Sequence, residues 1–289
     1  MKTRQIWIAA ARPKTLAAGI SPVLLGSALA LSKGFFNPLI FVMTLLTALG
    51  IQITTNFAND YFDFIKGADT EKRKGPLRVM QAGLVSSSTM KKVIFITLAS
   101  TACLGSYLAF QGGIVILLLL SLSLVLAILY TGGPYPIAYL GLGDLFVLIF
   151  FGPVAVGGTY FLQTGSFSVE SLLAGLGIGL ISAEVLSINN LRDVEEDAAA
   201  NKKTLIVRFG KPFGKIKYIL SLSFATFIPL FFPSHPFTLL TWLFLIPAIP
   251  CIRQVLSTED PTLLNRTLAK TGQLVLIYAV LFSIGLLIR

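Results

Sequence analysis

The sequence predicts an all-α, polytopic membrane protein of nine transmembrane helices with its N-terminus in the cytoplasm. Three observations carry that expectation. Of the 289 residues 55% are hydrophobic and only 12% charged, with a mean hydropathy of +0.82, a balance that no soluble class shows. Apolar runs of membrane-crossing length recur along the whole chain. Lys and Arg gather on alternate connections, as the positive-inside rule requires.

In chain order, residues 1–14 carry Lys2, Arg4, Arg12 and Lys14 ahead of the first apolar run. A signal peptide shares that charge pattern, but the run 15–31 is long, has no clear cleavage site and is followed by further spans. It is the first span. The second, 39–61, ends in a polar stripe, and a long charged loop, 64–92, follows. Spans three and four, 93–110 and 114–130, are joined by Gln111-Gly112-Gly113 and lead into a Gly/Pro-rich loop, 131–143. Spans five and six, 145–162 and 169–190, precede a second charged loop, 191–217. Spans seven to nine are 218–232, 237–252 and 271–288.

With the N-terminus inside, 21 of the 23 Lys and Arg residues fall on inside segments, and only Lys33 and Arg289 fall outside. An odd number of spans places the C-terminus outside. Polar stripes end spans two and six, four spans apart. This divides the single domain 1–289 into two similar four-helix halves, about 15–130 and 145–252, plus a ninth helix.

Composition also excludes function classes. A net charge of +10 raises nucleic acid as a partner, but the charges lie where membrane topology and anionic lipid would put them. No nucleic-acid partner is expected. Cys103 and Cys251 sit in apolar runs, with neither a disulfide nor a zinc pattern. The only histidine, His235, lies in Pro-Ser-His-Pro between two apolar runs. Histidine-based triads and zinc chemistry are therefore excluded.

The stretch from Gln52 to Asp69 carries the chemistry. Residues on a helix advance by about 100° each, so Gln52, Asn56, Asn59, Asp60 and Asp63 share one narrow face. A polar helix end meeting water is the plain alternative. The stripe, however, starts about two turns inside the apolar run, which favours a polar pocket for a cation. A second stretch answers it: Asn189, Asp193 and Asp197 are spaced i, i+4, i+8 on one helix face. Two such faces can converge on metal ions. Carboxylate and amide oxygens suit Mg²⁺, which also takes the phosphate oxygens of a substrate.

Lys66, Arg73, Lys74, Arg78, Arg192 and Lys202 are candidates to hold diphosphate oxygens. The apolar bundle would take an isoprenoid tail and keep water from an allylic carbocation. Tyr61, Phe62 and Tyr130 offer ring faces to that cation, or else form an interfacial aromatic belt. An ion-coupled transporter is the rival from another class, since it too would carry carboxylates among apolar spans. Glu184 is an acid within span six. On an unbroken helix it lies nearly opposite the Asp193 face, which makes it structural and bonded to a Ser or Thr of an adjacent span.

These motifs resemble the UbiA superfamily of intramembrane aromatic prenyltransferases. The residues that carry the resemblance are Ala11-Arg12-Pro13-Lys14-Thr15-Leu16, the run from Gln52 through Asn56 and Asn59-Asp60 to Asp63, and Gly75-Pro76-Leu77-Arg78. Also included are the stretch from Gly133 to Gly143-Asp144, Asn189-Asn190-Leu191-Arg192-Asp193 with Asp197, and the stretch from Lys202 to Arg208. Together they look like the branch acting on 1,4-dihydroxy-2-naphthoate, over nearly the whole chain. One departure is Asn201, where the family usually has Gly before the Lys. Asn tolerates left-handed backbone angles, so the loop can still form.

The resemblance implies nine helices around a central cavity in the cell (inner) membrane, with the active site facing the cytoplasm. It implies Mg²⁺-dependent transfer from a polyprenyl diphosphate to a dihydroxynaphthoate, with loss of CO₂ and diphosphate, and no obligate protein partner. On this reading Asp60, Asp63, Asp193 and Asp197 are catalytic and, with Asn59 and Asn189, hold the metal. Arg12, Gln52, Asn56 and Tyr130 face the acceptor or the prenyl chain. Sister activities on 4-hydroxybenzoate, homogentisate or haem stay open at this point, and no general base can be chosen.

Overall fold

Prolines and short polar caps set where the helices begin. In the computed structural model, which describes residues 2–68 and 75–288, α1 (Thr3–Ala11) is followed directly by α2 (Pro13–Ser32). Arg12 between them is left-handed (φ 51°, ψ 70°), an uncommon conformation for a non-glycine residue. Pro38 opens α3 (Pro38–Ile65), where the Asn37 side chain accepts from the amides of Leu39 and Ile40. That cap satisfies two of the donors every helix start leaves over. No break occurs at the expected end of span two, so α3 carries the polar stripe as regular helix to Ile65.

One further expectation is sharpened and one is corrected. Gln111-Gly112-Gly113 is a kink where a loop was expected: α4 (Ser87–Leu129) consists of two helices joined there, and they contain expected spans three and four. Only Gly113 leaves helical geometry (φ 64°, ψ −156°), a conformation that a residue without Cβ adopts at low cost. Among the described residues, eight helices are long and apolar enough to cross a membrane when α4 is counted once, although its two helices are the expected third and fourth spans. Secondly, 191–217 is not a loop. It folds as α8 (Val194–Ala199) and the start of α9 (Leu205–Phe227), which Thr204 caps and which kinks at Gly210 ahead of Pro212. Charge density read as loop because apolar content was the guide. Lys217 consequently lies inside a helix.

Between these elements stand α5 (Gly143–Ile149), a π-helical turn (Phe150–Val154), α6 (Ala155–Thr164) and α7 (Val169–Arg192). The π-turn lies backbone-to-backbone on α7. A Cβ on Gly175 would come within 2.8 Å of Gly152 and Pro153 backbone atoms. A 3₁₀ segment (Pro236–Phe244) leads into α10 (Leu245–Ser257), and α11 (Pro261–Leu287) starts well before the expected residue 271. The main core lies where α11 packs along α2 and α7, with Leu25, Leu29, Ile178, Ile181, Tyr218, Phe244, Tyr278 and Phe282 all fully buried. A smaller core around Phe57, Tyr61, Val79, Met80 and Met90 seats the segment after α3 against its C-terminal end.

Candidate active site

The stripe on α3 is real and divides by depth. Gln52 donates to Thr15 Oγ1 (3.3 Å), and Asn56 donates to Thr15 Oγ1 (3.1 Å) and the Ala11 carbonyl (2.9 Å). These amides hold the α1–α2 junction, and with it Arg12, against α3. One turn on, Asn59 Oδ1 accepts from Thr131 Oγ1 at 2.8 Å. Asp63 is the hub at the end. Its Oδ1 meets Lys202 Nζ and the Tyr139 hydroxyl, and its Oδ2 meets Arg78 Nη2, all at 3.1 Å.

The second stripe keeps its register although α7 ends at Arg192. Asp193 accepts helical geometry loosely (φ −100°, ψ 14°), and the Asn189–Asp193–Asp197 chain of backbone hydrogen bonds continues through it. Arg192 binds both oxygens of Asp193 (2.6 and 2.5 Å), Asn189 Oδ1 (2.5 Å) and Asn265 Oδ1 (2.6 Å). The two stripes meet at Lys202, whose Nζ is 3.1 Å from Asp63 and 3.7 Å from Asp197. The turn that presents Lys202 depends on Asn201, left-handed at φ 55°, as its side chain allows.

Two spaces adjoin here. A polar chamber of about 80 Å³ is walled by Asn59, Asp63, Asn189, Asp193, Asp197 and Lys202, among others. An apolar cavity of about 590 Å³ runs from Arg12, Gln52 and Asn56 down past Leu108, Ile116 and Leu162. Arg12, Asn59, Arg78, Tyr130 and Asn189 line both. Charged groups therefore face one end of an apolar pocket, an arrangement that suits an amphiphile with an anionic head.

Other expected residues stand elsewhere. Asp60 is buried outside both spaces, and its Oδ2 accepts from the Val79 amide at 3.1 Å. Arg192 does not wall the chamber. It braces Asp193 where a hold on diphosphate was expected. Lys66 reaches the Thr131 and Gly133 carbonyls (2.8 and 3.4 Å), and burial holds its ammonium below the ordinary pKa against the pull of Asp63. Tyr61 and Phe62 pack against each other edge to face and line neither space. Arg73 and Lys74 lie outside the described residues.

Glu184 also lines neither space; it bonds to Ser221 of α9, the serine of an adjacent span that was expected, and to a second partner that was not. Lys217 Nζ sits 2.7 Å from Glu184 Oε1, because α9 extends back far enough to bring that lysine alongside α7. Sequence reasoning missed Tyr139, whose ring lies under both Lys66 and Lys202 (4.7 and 5.0 Å to its centroid). It also missed Asp144, part of the chamber wall. Both stand in the Gly/Pro-rich stretch that carried part of the resemblance.

A hard cation fits this donor set. Among the described residues no three His, Cys, Asp or Glu side chains form a ready-made cage. The donors are nonetheless all carboxylate and amide oxygens, and an ammonium already bridges the two motifs. Mg²⁺ binds commonly through one or two carboxylates and completes its shell with water and phosphate.

A membrane-embedded helical bundle with a polar head site over an apolar tail site defines a class of protein that handles long-chain amphiphiles. The chain belongs to the UbiA prenyltransferase family, whose model matches residues 19–273, and it is a multi-pass membrane protein. It is 40% identical to the 1,4-dihydroxy-2-naphthoate octaprenyltransferase of Haemophilus influenzae, over 98% of this chain and 96% of that one. Its fold matches a UbiA homologue from Aeropyrum pernix K1 (TM-score 0.69, 16% identity, 92% and 96% of the two chains). It also matches a UbiA homologue from Archaeoglobus fulgidus bound to DMAPP and Mg²⁺ (TM-score 0.57, 13% identity, 96% and 99%).

Proposed function

We propose that the enzyme transfers a polyprenyl group from a polyprenyl diphosphate to a dihydroxynaphthoate, releasing diphosphate and CO₂ and giving demethylmenaquinone. The observation that carries this reading is Lys202 between Asp63 and Asp197, at the junction of a polar chamber and an apolar cavity. The likeness to dihydroxynaphthoate octaprenyltransferases over almost the full length supplies the acceptor class.

In this reaction Asp63, Asp193 and Asp197, with Asn59 and Asn189, would hold Mg²⁺, which neutralises charge on a departing diphosphate. Arg78 and Lys202 exchange their carboxylate partners for phosphate oxygens. Asp60 acts at one remove, by fixing the backbone that carries Arg78. Arg12 faces both spaces and is placed to meet the acceptor carboxylate, while Gln52 and Asn56 hold its turn. Tyr130 offers its ring at the junction, and the apolar cavity excludes water from the cation. Mass spectrometry of the product from a dihydroxynaphthoate and a defined prenyl diphosphate tests the reading. The expected mass is that of the prenylated, decarboxylated hydroquinone. A product retaining the carboxylate, or no product, rejects it.

The chamber opens to the cytoplasm, and the two helices of α4 are separate spans, giving two similar four-helix halves plus a ninth helix. The charge distribution supports this orientation. Single cysteines at Ser87 and Ser234 are expected to react with a membrane-impermeant thiol reagent from the inside and from the outside, respectively. The reverse pattern overturns the orientation.

A further inference from the structure

Asp144 belongs to neither Asp motif, yet it forms part of the chamber wall and is nearly buried (8% exposed). It is held from behind. Lys217 Nζ lies 2.8 Å from its Oδ1, and Ser187 Oγ donates to the same oxygen at 3.2 Å. Lys217 also donates to Glu184 Oε1 at 2.7 Å and to Ser187 Oγ at 2.5 Å. An ammonium has three donors, and Asp144, Glu184 and Ser187 take them all. Glu184 is fully buried and lines neither space. It bonds to Ser221 and to Lys217, and through Lys217 it reaches Asp144.

The other wall carboxylates differ. Asp63 has both oxygens engaged, by Lys202, Tyr139 and Arg78. Asp193 has both engaged by Arg192. Asp197 shares Lys202 with Asp63. Asp144 makes both of its bonds through Oδ1, on the bundle side, which leaves Oδ2 for the chamber. Its neighbour Gly143 lies against the Tyr130 hydroxyl, 2.9 Å from where a Cβ would stand. Tyr130 lines both spaces. A carboxylate fixed in orientation, with one oxygen open beside the junction, has the geometry of a proton acceptor.

We infer that Asp144 is a catalytic residue that takes, and then returns, the proton of the acceptor hydroxyl adjacent to the reacting carbon. The inference rests on the prenyl-transfer reading above. As that ring carbon bonds to the prenyl carbon and the bond to diphosphate breaks, the O–H proton passes to Asp144 Oδ2 and the oxygen becomes a ketone. This ketone is β to the carboxylate. Loss of CO₂ moves the C–C electron pair into the ring and leaves an enolate oxygen, to which Asp144 gives the proton back. One proton is taken and one returned, so no oxidant and no second base is needed. Lys217, Ser187 and Glu184 are positioning residues: the first two orient Asp144, and Glu184 holds Lys217.

The test uses the purified full-length enzyme with prenyl diphosphate, dihydroxynaphthoate and Mg²⁺. Asp144→Asn is expected to lower kcat by roughly 10²–10⁴-fold. The KM for prenyl diphosphate and the Mg²⁺ concentration for half-maximal rate stay near wild type, and Asp144→Glu recovers part of the rate. An acceptor with that hydroxyl methylated is expected to slow the wild type to a similar degree while slowing Asp144→Asn no further. Should Asp144→Asn fail to fold, Ser187→Ala carries the test, with kcat expected to fall about tenfold at unchanged KM. Unchanged kcat in the folded variant overturns the role. A raised Mg²⁺ requirement, with kcat recovered at high Mg²⁺, overturns it in favour of a metal ligand. A wild type inactive on every dihydroxynaphthoate rejects the reaction itself, and this role with it.

Discussion

Asp63→Asn is expected to lower prenyl transfer by roughly three orders of magnitude, a loss of the size seen when one preorganised charge-stabilising group is removed. Asp63 is where three separate segments meet. It holds Lys202 from the second motif, Arg78 from the segment after α3 and Tyr139 from the Gly/Pro-rich loop. An amide keeps the volume but removes the charge that would draw in a divalent ion and release the two cations to phosphate. Asp197→Asn should act in the same direction through the same lysine. The measurement is turnover at equal amounts of folded protein, with the melting temperature as the control for structure. Near-normal rates in both variants would remove the metal-assisted reading.

The second large effect concerns folding. Gly175→Val is expected to destabilise the protein by about 3 kcal/mol, at the upper end of overpacking costs, and to abolish a stable bundle. Even a Cβ at this position meets backbone atoms of Gly152 and Pro153 at 2.8 Å, and backbone cannot rotate away as a side chain can. The π-turn would have to lift off α7, separating Asp144 on α5 from Ser187 on α7. Gly158→Ala is the contrast. There an added Cβ reaches only Leu119 Cδ1 at 3.8 Å, an ordinary contact, and little change is expected. Thermal unfolding followed by size-exclusion in detergent decides it. A wild-type melting point for Gly175→Val would show that the contact between the π-turn and α7 is not tight.

Much of the site was legible because helices have a fixed period. Gln52, Asn56, Asn59 and Asp63 line up as the spacing requires, and so do Asn189, Asp193 and Asp197, although α7 ends within the second set. Asp60 shows the limit of that argument. It falls at the edge of the same face, and that rotation turns it to the Val79 amide instead of the chamber. Arg192 shows another limit. Sequence spacing cannot say whether a basic residue beside an acid will serve a ligand or the acid, and here it binds Asp193. The Lys217–Glu184 pair was out of reach because the two residues come from different helices, and because a charged, glycine- and proline-bearing stretch was read as loop. Asp144 had no periodic companion to mark it. The break in α4 was placed correctly at the glycines, where the backbone leaves helical geometry at Gly113.

The C-terminal ends of α3 and α7 and the N-terminal end of α5 all meet at the polar chamber, so its charged residues sit at one end of the bundle. In the proposed reaction the diphosphate would arrive and depart by that same end. Only neutral hydrocarbon and an aromatic ring need to enter the deeper space. No net charge then traverses the hydrocarbon, and the transmembrane voltage, which does about 2.3 kcal/mol of work per elementary charge per 100 mV, has nothing to act on. Synthesis would run equally well in an energised and a collapsed membrane.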